Sequence, residues 1–380
     1  MTKPRLIISN YDDLHNPYYG GGGATAVHEV AKRLNHHFEV TVLTACYPGS
    51  VEQVIDGVLY RRIGISFAGA KLGQVIFQLL LPLYALREHF DLWLETFGPP
   101  FSAAFLPLFT KKPVIGLIHM LPALDMQRKY RLPFLPRLVE VVALKVYTRF
   151  IALSEDSRQA IRRYNPTATV HIIPNGIKLP ARMPILSPQH ILFIGRLEIN
   201  QKGLDLLLYA YKLLLPLHPP PLVIAGSGSA ADTTRLHTLI TRLELTDQVV
   251  LTGRVGGQVK DRLYRQALFV VVPSRFETFS LVVLEGLAYG KALVVFAIPG
   301  LSWLPTFCAV KAASLTPLAL STAMAACLTS EDTRRRLSRL ARSFAHRFDL
   351  DRIAAQFAEV LSSIHVDSQA YWSTSLHPTI

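Results

Sequence analysis

Two carboxylates, Glu277 and Glu285, stand eight positions apart where an extended loop is predicted to become a helix. The stretch Leu268–Pro273 before them is short, apolar and rich in valine, which is typical of a strand buried on both faces. The stretch Leu281–Tyr289, which contains Glu285, keeps apolar residues at helical spacing and is followed by Gly290. Glu277 is therefore predicted at the carboxyl end of a strand, where open α/β sheets bind ligands.

This placement suggests a kind of ligand. The free amides at a helix N-terminus attract phosphate, and a carboxylate reached beyond them can hold sugar hydroxyls. Glu277 would lie just before that terminus, and Glu285 about two turns into the helix. The arrangement suits a molecule with phosphate in the middle and hydroxyls at both ends, such as a nucleotide sugar.

Two cations, Arg196 and Lys202, follow the first strand predicted in the second half of the chain. Cations on such a loop can grip a diphosphate and stabilise it as it leaves with extra charge. The alternative is an exposed loop with ordinary surface cations. Gly195 precedes them, and Gly226 and Gly228 form a glycine turn after another predicted strand. That turn lacks the third glycine of a dinucleotide fingerprint, which argues against a dehydrogenase.

The first half contributes a glycine run and a histidine. Backbone amides without side chains approach an anion closely, and the next predicted helix directs its N-terminus there, although a flexible loop is the alternative. His119 follows a predicted strand at the same sheet edge, but a lone histidine is more often structural. The run consists of four glycines: Gly20, Gly21, Gly22 and Gly23.

Composition limits the class of protein. A length of 380 residues suggests two domains, and 50% hydrophobic residues allow large cores. Three cysteines without paired spacing exclude a disulfide framework or zinc ribbon and fit a reducing compartment. The apolar Leu6–Ile8 is too short for a signal peptide, and no spanning segment is expected. Asp12 and Asp13 could suggest a metal pair, but a solvated loop is favoured.

The net charge of +13 is strongly basic. Between Arg128 and Arg163, nine basic residues stand against three acidic ones and are mixed with apolar side chains. Such mixing suits an amphipathic surface on anionic lipid, while a solvated rim on a core helix is the alternative. A nucleic-acid partner is not expected, because no binding motif accompanies the charge.

Strands and helices alternate in two successive sets, which predicts an α/β protein with two parallel sheets. We predict a first domain over 1–180, a linker over 181–188, a second domain over 189–345, a helix over 346–364 that returns to the first domain, and a mobile tail over 365–380. The predicted strands are Leu6–Ser9, Phe38–Thr44, Asp91–Glu95, Pro113–Ile118, Phe150–Leu153, Val170–Ile173, Ile191–Ile194, Leu222–Ala225, Val249–Leu251, Leu268–Val272 and Ala292–Val295. The clearest helices are Ala24–Leu34, Leu204–Leu214, Arg235–Leu243, Leu281–Tyr289 and Asp349–Ser362.

Together these motifs resemble the retaining glycosyltransferase family 4, the group 1 glycosyltransferases. Its members have the GT-B fold, in which two Rossmann-like domains flank a cleft. The resemblance covers nearly the whole chain and is most specific from Glu277 to Glu285. It rests on Gly20–Gly23, Ser154-Glu155, Ile173–Gly176, Gly195–Leu197, Lys202-Gly203, Gly226–Gly228, Thr252–Arg254, Glu277–Glu285 and Gly290.

The resemblance implies roles for these positions. Arg196 and Lys202 would bind the donor diphosphate, and Glu285 the ribose hydroxyls. Glu277 would lie at the transferred sugar, and the implied catalytic residues are Glu277, His119, Arg196 and Lys202. The remaining implied donor contacts are the Phe279 and Ser280 amides near the sugar, Gly20–Gly23 over the phosphates, His119 against the sugar, Arg254 near the base, and the loop glycines Gly195, Gly226 and Gly228. The family needs no metal or other cofactor. Two departures are Ser280, where the family often has glycine, and the segment Ala297–Gly300.

The expected function is retaining transfer of a hexose-type sugar from a nucleotide sugar to a lipid-linked or saccharide acceptor, in cell-envelope or polysaccharide biosynthesis. The expected location is the cytoplasm, at the inner face of the membrane. A nucleotide-sugar epimerase of the same fold is the first alternative. A basic membrane- or RNA-binding protein on an inactive scaffold is the second, although the intact Arg196, Lys202, Glu277 and Glu285 argue against it.

Overall fold

The computed structural model describes residues 2–18, 22–98, 101–121, 135–180 and 186–375. The chain divides into two compact units, one formed by Met1–Gly176 with Leu350–Ile380 and the other by Ile177–Asp349. The chain leaves the first unit after Gly176 and rejoins it at Leu350. Residues 181–185 of the predicted linker lie outside the described residues.

The first unit is built on an eight-stranded sheet in the order β3-β4-β2-β1-β5-β6-β7-β8. Its strand pairs are parallel except for the antiparallel pair β3–β4. The central strands are apolar and buried on both faces, as parallel sheets require. The strands are β1 (Arg5–Ser9), β2 (Glu39–Ala45), β3 (Gln53–Ile55), β4 (Val58–Ile63), β5 (Leu92–Thr96), β6 (Val114–Ile118), β7 (Arg149–Ala152) and β8 (Thr169–Ile172).

Helices contribute to two hydrophobic clusters of the first unit. One cluster combines strand residues with Phe77, Leu81 and Ala143, and the other combines them with Val27 and Phe357. These side chains belong to α1 (Gly22–Leu34), α2 (Gly69–Arg87), α3 (Leu135–Val146) and α12 (Leu350–Ser375); α4 (Glu155–Tyr164) adds Ile161 to the first cluster.

The C-terminal helix α12 packs on α1 within the first unit. The helix continues past Ser362 to Ser375. Residues 365–375, which were predicted to form a mobile tail, are therefore helical. Residues 376–380 of that predicted tail lie outside the described residues.

The second unit contains a six-stranded parallel sheet in the order β11-β10-β9-β12-β13-β14. Its strands are β9 (His190–Ile194), β10 (Leu222–Ala225), β11 (Val249–Gly253), β12 (Ala267–Val272), β13 (Leu293–Phe296) and β14 (Ala309–Ala312). Its helices are α5 (Ile199–Lys202), α6 (Leu204–Leu214), α7 (Ala230–Arg242), α8 (Gly257–Gln266), α9 (Leu281–Ala288), α10 (Pro317–Thr329) and α11 (Glu331–Ala345).

The strands that sequence reasoning missed lie at a sheet edge or next to one. β3 and β4 form a hairpin whose turn is Asp56-Gly57, with φ of 50° and 81°. Asp-Gly is a strong signal for such a turn and could have been used. β14 is a short edge strand whose third of four residues is Lys311, so it lacks the apolar run that marked its neighbours.

Asp13 corrects the expectation of a solvated acidic loop. Its carboxylate is buried, lies 2.8 Å from Nη2 of Arg62 and accepts hydrogen bonds from Tyr47 and Thr44. A buried charge is stable only when it is paired in this way. Asp13 therefore anchors the loop after β1. Among the described residues no group of three or more His, Cys, Asp or Glu side chains could hold a metal ion.

A second buried carboxylate, Glu95, lies near the end of β5. One oxygen accepts from the amide of Ala104 at 2.5 Å and the other from the hydroxyl of Tyr147. Burial raises the pKa of Glu95 to about 7, although these hydrogen bonds oppose the shift. The side chain thus fastens the loop that follows β5 to the sheet.

The raised pKa of Glu95 predicts a pH-dependent stability. The folded protein binds the proton between the ordinary pKa of 4.5 and about 7, whereas the unfolded chain releases it. The free energy of unfolding should therefore fall as pH rises through this range, by at most about 1.4 kcal/mol per pH unit. Glu95→Gln should lose this contribution, and the exposed Glu155→Gln should keep it. Urea unfolding at pH 5, 6 and 7 measures the free energy of unfolding of each protein. The same pH dependence in wild type and Glu95→Gln would contradict the prediction.

Candidate active site

Lys202 and Glu277 form an ion pair at the carboxyl edge of the second sheet. Nζ of Lys202 lies 2.6 Å from Oε1 of Glu277, and the same oxygen accepts from Oγ of Ser274 at 2.7 Å. Lys202 ends α5, and Gly203 follows it with φ of 64°. A Cβ at Gly203 would stand 2.0 Å from the carbonyl oxygen of Pro273, so only glycine allows this close approach. The approach brings the lysine to the carboxylate.

Arg275 fixes the same loop from the other side. Its guanidinium donates two hydrogen bonds to Asp205, at 2.8 and 2.7 Å, and one to the carbonyl of Asn200. Its backbone amide donates to the carbonyl of Gln201 at 2.9 Å. The bidentate pair with Asp205 raises the pKa of Arg275, so the arginine stays charged. Arg275 and Asp205 are structural supports that sequence reasoning missed.

The predicted donor-binding glycines of the second unit allow two loops to touch backbone to backbone. Gly195 and Leu197 belong to the loop after β9. A Cβ at Gly226 would stand 1.7 Å from the carbonyl oxygen of Gly195, and one at Gly228 would stand 2.2 Å from that of Leu197. The amide of Leu197 also donates to the loop after β10. In the structure, these glycines therefore serve loop packing at the sheet edge.

Arg196 lies on the same loop with its side chain mostly exposed. Its guanidinium is 3.5 Å from the carboxylate of Glu198 and donates to Gln201 at 3.3 Å. Because β9 and β12 are neighbours in the sheet, the loops carrying Arg196 and Glu277 leave the same edge. Arg254 is also exposed and follows β11 after Gly253, which has φ of 70°.

Glu285 occupies α9 and is held by two side chains from α8. The hydroxyl of Tyr264 donates to Oε2 at 2.7 Å, and Nζ of Lys260 contacts Oε1. Burial raises the pKa of Tyr264 well above its ordinary value, so it remains a hydrogen-bond donor. Tyr264 also stacks on Tyr289, with ring centroids 4.7 Å apart. Sequence reasoning missed Lys260 and Tyr264, although their spacing of four places them on one helix face.

Phe279 and Ser280 connect the Glu277 loop to α9. The ring of Phe279 is buried and stacks on Trp303 with centroids 4.4 Å apart, and the indole donates to the carbonyl of Phe279 at 2.9 Å. Ser280 has φ of 68° and ψ of 96°, a region that favours glycine. Ser280 therefore adopts a backbone conformation that glycine would adopt with less strain.

The second departure, the segment Ala297–Gly300, contacts the site directly. A Cβ at Gly300 would stand 1.7 Å from the backbone oxygen of Glu277. The short turn that contains Gly300 therefore lies against the backbone of the candidate catalytic carboxylate. This contact makes Gly300 a positioning residue that sequence reasoning missed.

In the first unit, His119 follows β6 and lines a small, mostly apolar cavity with Ile8, Val27 and Asn175. Burial lowers the pKa of His119 to about 4, so the ring is neutral near pH 7. Gly22 begins α1 and Gly23 follows it, with open space where a Cβ would lie on Gly23. Gly20 and Gly21 lie outside the described residues.

Solved structures of glycosyltransferases share this architecture. Sucrose-phosphate synthase from Thermosynechococcus elongatus matches with a TM-score of 0.81 and 19% identity, over 96% of this chain and all of the other. Anabaena HepE in complex with UDP-glucose matches with a TM-score of 0.74 and 18% identity, over 95% of this chain and all of the other. These matches confirm the predicted GT-B fold.

Sequence comparisons identify the family. Residues 20–179 match the family described as Glycosyltransferase Family 4, and residues 188–329 match Glycosyl transferases group 1. An uncharacterised glycosyltransferase of Methanocaldococcus jannaschii is 42% identical over 111 residues, which are 29% of this chain and 28% of that protein. A D-inositol 3-phosphate glycosyltransferase of Xylanimonas cellulosilytica is 30% identical over 229 residues, 54% of each chain. The matches thus span between about a quarter and about half of these two relatives. The chain belongs to the group 1 glycosyltransferases of family 4.

The contact between Gly300 and Glu277 predicts a cost for a single methyl group. Gly300→Ala should lower the free energy of unfolding by about 1–3 kcal/mol, because the added Cβ forces the turn away from the Glu277 backbone. Gly256→Ala is the matched control, since Gly256 has extended backbone and open space around a Cβ. Its cost should stay below about 1 kcal/mol. Denaturant unfolding measures the free energy of unfolding of both variants. Equal values for Gly300→Ala and Gly256→Ala would contradict the positioning role of Gly300.

Proposed function

We propose that the protein transfers a hexose-type sugar from a nucleoside diphosphate donor, with retention of anomeric configuration, to a lipid-linked or saccharide acceptor in cell-envelope or polysaccharide biosynthesis. The observation that carries the proposal is the ion pair between Lys202 and Glu277 at the carboxyl edge of β9 and β12, beside the exposed Arg196. A cation and a carboxylate in contact suit a ligand that joins a diphosphate to a polyhydroxyl sugar. Structures of HepE with UDP and with UDP-glucose support this class of donor.

Arg196 and Lys202 would bind the diphosphate. Breaking the bond from the sugar to the diphosphate adds negative charge to the leaving group. Cations already in place stabilise that charge more strongly in the transition state than in the bound donor, which is the condition for catalysis. The Lys202 side chain is mostly shielded from solvent and is prepositioned by Glu277, so little reorganisation is needed when the donor binds.

Glu285 would hold the ribose. A carboxylate accepts hydrogen bonds from both ribose hydroxyls, and the buried hydroxyl of Tyr264 already orients one of its oxygens. Lys260 contacts the other oxygen and offsets the carboxylate's charge. Glu277 would accept from hydroxyls of the transferred sugar, because Lys202 and Ser274 occupy only one of its oxygens.

The transfer step needs no protein nucleophile. The acceptor hydroxyl would attack the anomeric carbon from the side on which the diphosphate leaves. A bond forms between the acceptor oxygen and that carbon, the bond from the carbon to the diphosphate oxygen breaks, and the hydroxyl proton passes to a phosphate oxygen. The protein would contribute positioning and electrostatic stabilisation of an oxocarbenium-like state. His119, neutral near pH 7, would contact the sugar without adding charge.

We propose no metal or other cofactor, because Arg196, Lys202 and backbone amides supply the positive potential that a leaving diphosphate needs. The proposed location is the cytoplasm, at the inner face of the membrane. Arg128, Lys129 and Arg131 of the basic segment lie outside the described residues. Its described part supports the proposal, because α3 exposes both charged and apolar side chains: Arg137, Leu138, Val142 and Lys145.

The donor class can be tested by ligand-induced stabilisation. UDP at saturating concentration should raise the midpoint of thermal unfolding, because a ligand that binds only the folded state stabilises it by mass action. UDP, GDP and ADP compared at equal concentrations would identify the nucleotide. No shift with any of the three would contradict the proposed donor site.

Single substitutions should separate donor binding from turnover. Lys202→Met and Glu285→Ala should weaken binding of the nucleoside diphosphate roughly ten- to hundredfold, about 1.5–3 kcal/mol for one charge-assisted contact. Glu277→Gln should lower kcat more than it weakens binding. Lys212→Met is the matched control, because Lys212 forms an exposed pair with Glu244 on the same unit. Calorimetric titration and kinetics measure these effects, and unchanged affinity in Lys202→Met would remove that lysine from the site.

A further inference from the structure

Helix α2 is apolar on two opposite faces. Phe77, Leu81 and Ala85 point into the core of the first unit. The other face exposes four leucines, each between 45% and 63% accessible. They follow one another at intervals of seven, four and three residues, which places them in one stripe along the helix. The four are Leu72, Leu79, Leu83 and Leu86.

Among the described residues α2 is the one helix long and apolar enough, by length and composition, to cross a membrane. Its packing shows that it lies on the sheet as a core helix. Gln78, which interrupts the apolar sequence, is buried; its amide donates to the carbonyl of Gly98 and its oxygen accepts from the amide of Phe101, both at 3.2 Å. The polarity of Gln78 is therefore satisfied inside the unit, and the outer stripe remains apolar.

Further apolar side chains are exposed just before the helix and in a turn that contacts it. Phe67, just before the helix, is 86% accessible, and Leu108 and Phe109 are exposed in a turn that packs on α2. Isolated exposed leucines are ordinary on a protein surface, whereas four along one helix face form the kind of apolar patch that marks a binding site. We define the α2 surface as the four leucines of the stripe with Phe67, Leu108 and Phe109.

The charged residues within helix α2 itself are all positive. The helix contains no Asp or Glu from residue 69 to 87, and Lys71 and Arg87 lie near its two ends. Lys111 follows the apolar turn. Glu88, the first acidic residue after the helix, is 3.2 Å from Arg61. A second copy of the chain would bring these cations together, whereas an anionic bilayer would attract them.

We propose that the α2 surface docks on an anionic phospholipid bilayer, with its leucines below the headgroups and its cations at the lipid phosphates. The proposal deepens the function given above, and it rests on that function for its purpose, which is access to a membrane-associated acceptor. It assigns the membrane contact to α2, beyond the basic segment that includes α3. Apolar burial combined with attraction to anionic lipid is how a helix binds in the interface plane.

Vesicle flotation with matched double variants tests this surface. The test variant is Leu79→Gln with Leu83→Gln. The control is Leu213→Gln with Leu318→Gln, two exposed leucines of the second unit. Wild type and control should float with phosphatidylcholine vesicles that contain phosphatidylglycerol, and much less with phosphatidylcholine alone. The test variant should lose at least tenfold in the ratio of bound to free protein.

A charge variant and a donor assay complete the design. Arg87→Gln with Lys111→Gln should reduce the preference for anionic vesicles, and high salt should reproduce that loss in the wild type. The UDP-induced thermal shift should be the same in wild type and all variants, so that a failure of docking is distinguishable from a failure of the proposed transferase function.

Three outcomes would overturn the proposal. One is equal flotation of the test variant and the wild type. Another is failure of the wild type to bind anionic vesicles at low salt. The last is a wild-type dimer in size-exclusion chromatography with light scattering that the test variant converts to a monomer, because the α2 surface would then be covered by a second copy.

Discussion

The contact between Lys202 and Glu277 depends on two backbone segments that approach too closely to leave room for a Cβ atom between them. Gly203 lets the junction of α5 and α6 lie against the carbonyl of Pro273, and the bidentate pair between Arg275 and Asp205 holds the two segments together. Parallel pairing of β9 with β12 brings both loops to one edge of the sheet. The position of the ion pair is thus determined by the order of the strands and by the close backbone approach. The two side chains need little rearrangement to make contact. Such preorganisation is what electrostatic catalysis requires.

The same principle explains why glycines surround the site. Gly226 and Gly228 let the loop after β10 contact the loop that carries Arg196, and Gly300 lets a later turn contact the backbone of Glu277. A methyl group at any of these positions would separate segments that carry the candidate site residues. Ser280 is the exception, since it adopts φ of 68° with a side chain present. Backbone geometry therefore brings the segments that carry Arg196, Lys202 and Glu277 together at one edge of the second sheet.

Local sequence signals predicted much of this architecture, because buried parallel strands and amphipathic helices carry their own periodicity. Leu204–Leu214 begins and ends where it was predicted, and the ordered motifs identified the family. The partners of single side chains were not predictable in this way. The α8 residues Lys260 and Tyr264 meet Glu285 only because two helices pack together, and Asp13 is buried only because Arg62 reaches it from another strand. Both depend on contacts between segments distant in sequence, which a local pattern does not encode.

We propose that Arg196, Lys202 and Glu285 form the binding site of a nucleoside diphosphate. A crystal structure of the protein with bound UDP, or with the nucleotide selected by thermal shift, tests it most directly. We expect diphosphate oxygens within hydrogen-bond distance of Nζ of Lys202 and the guanidinium of Arg196, with ribose hydroxyls on the carboxylate of Glu285. A nucleotide bound elsewhere, with the ion pair between Lys202 and Glu277 untouched, would contradict it.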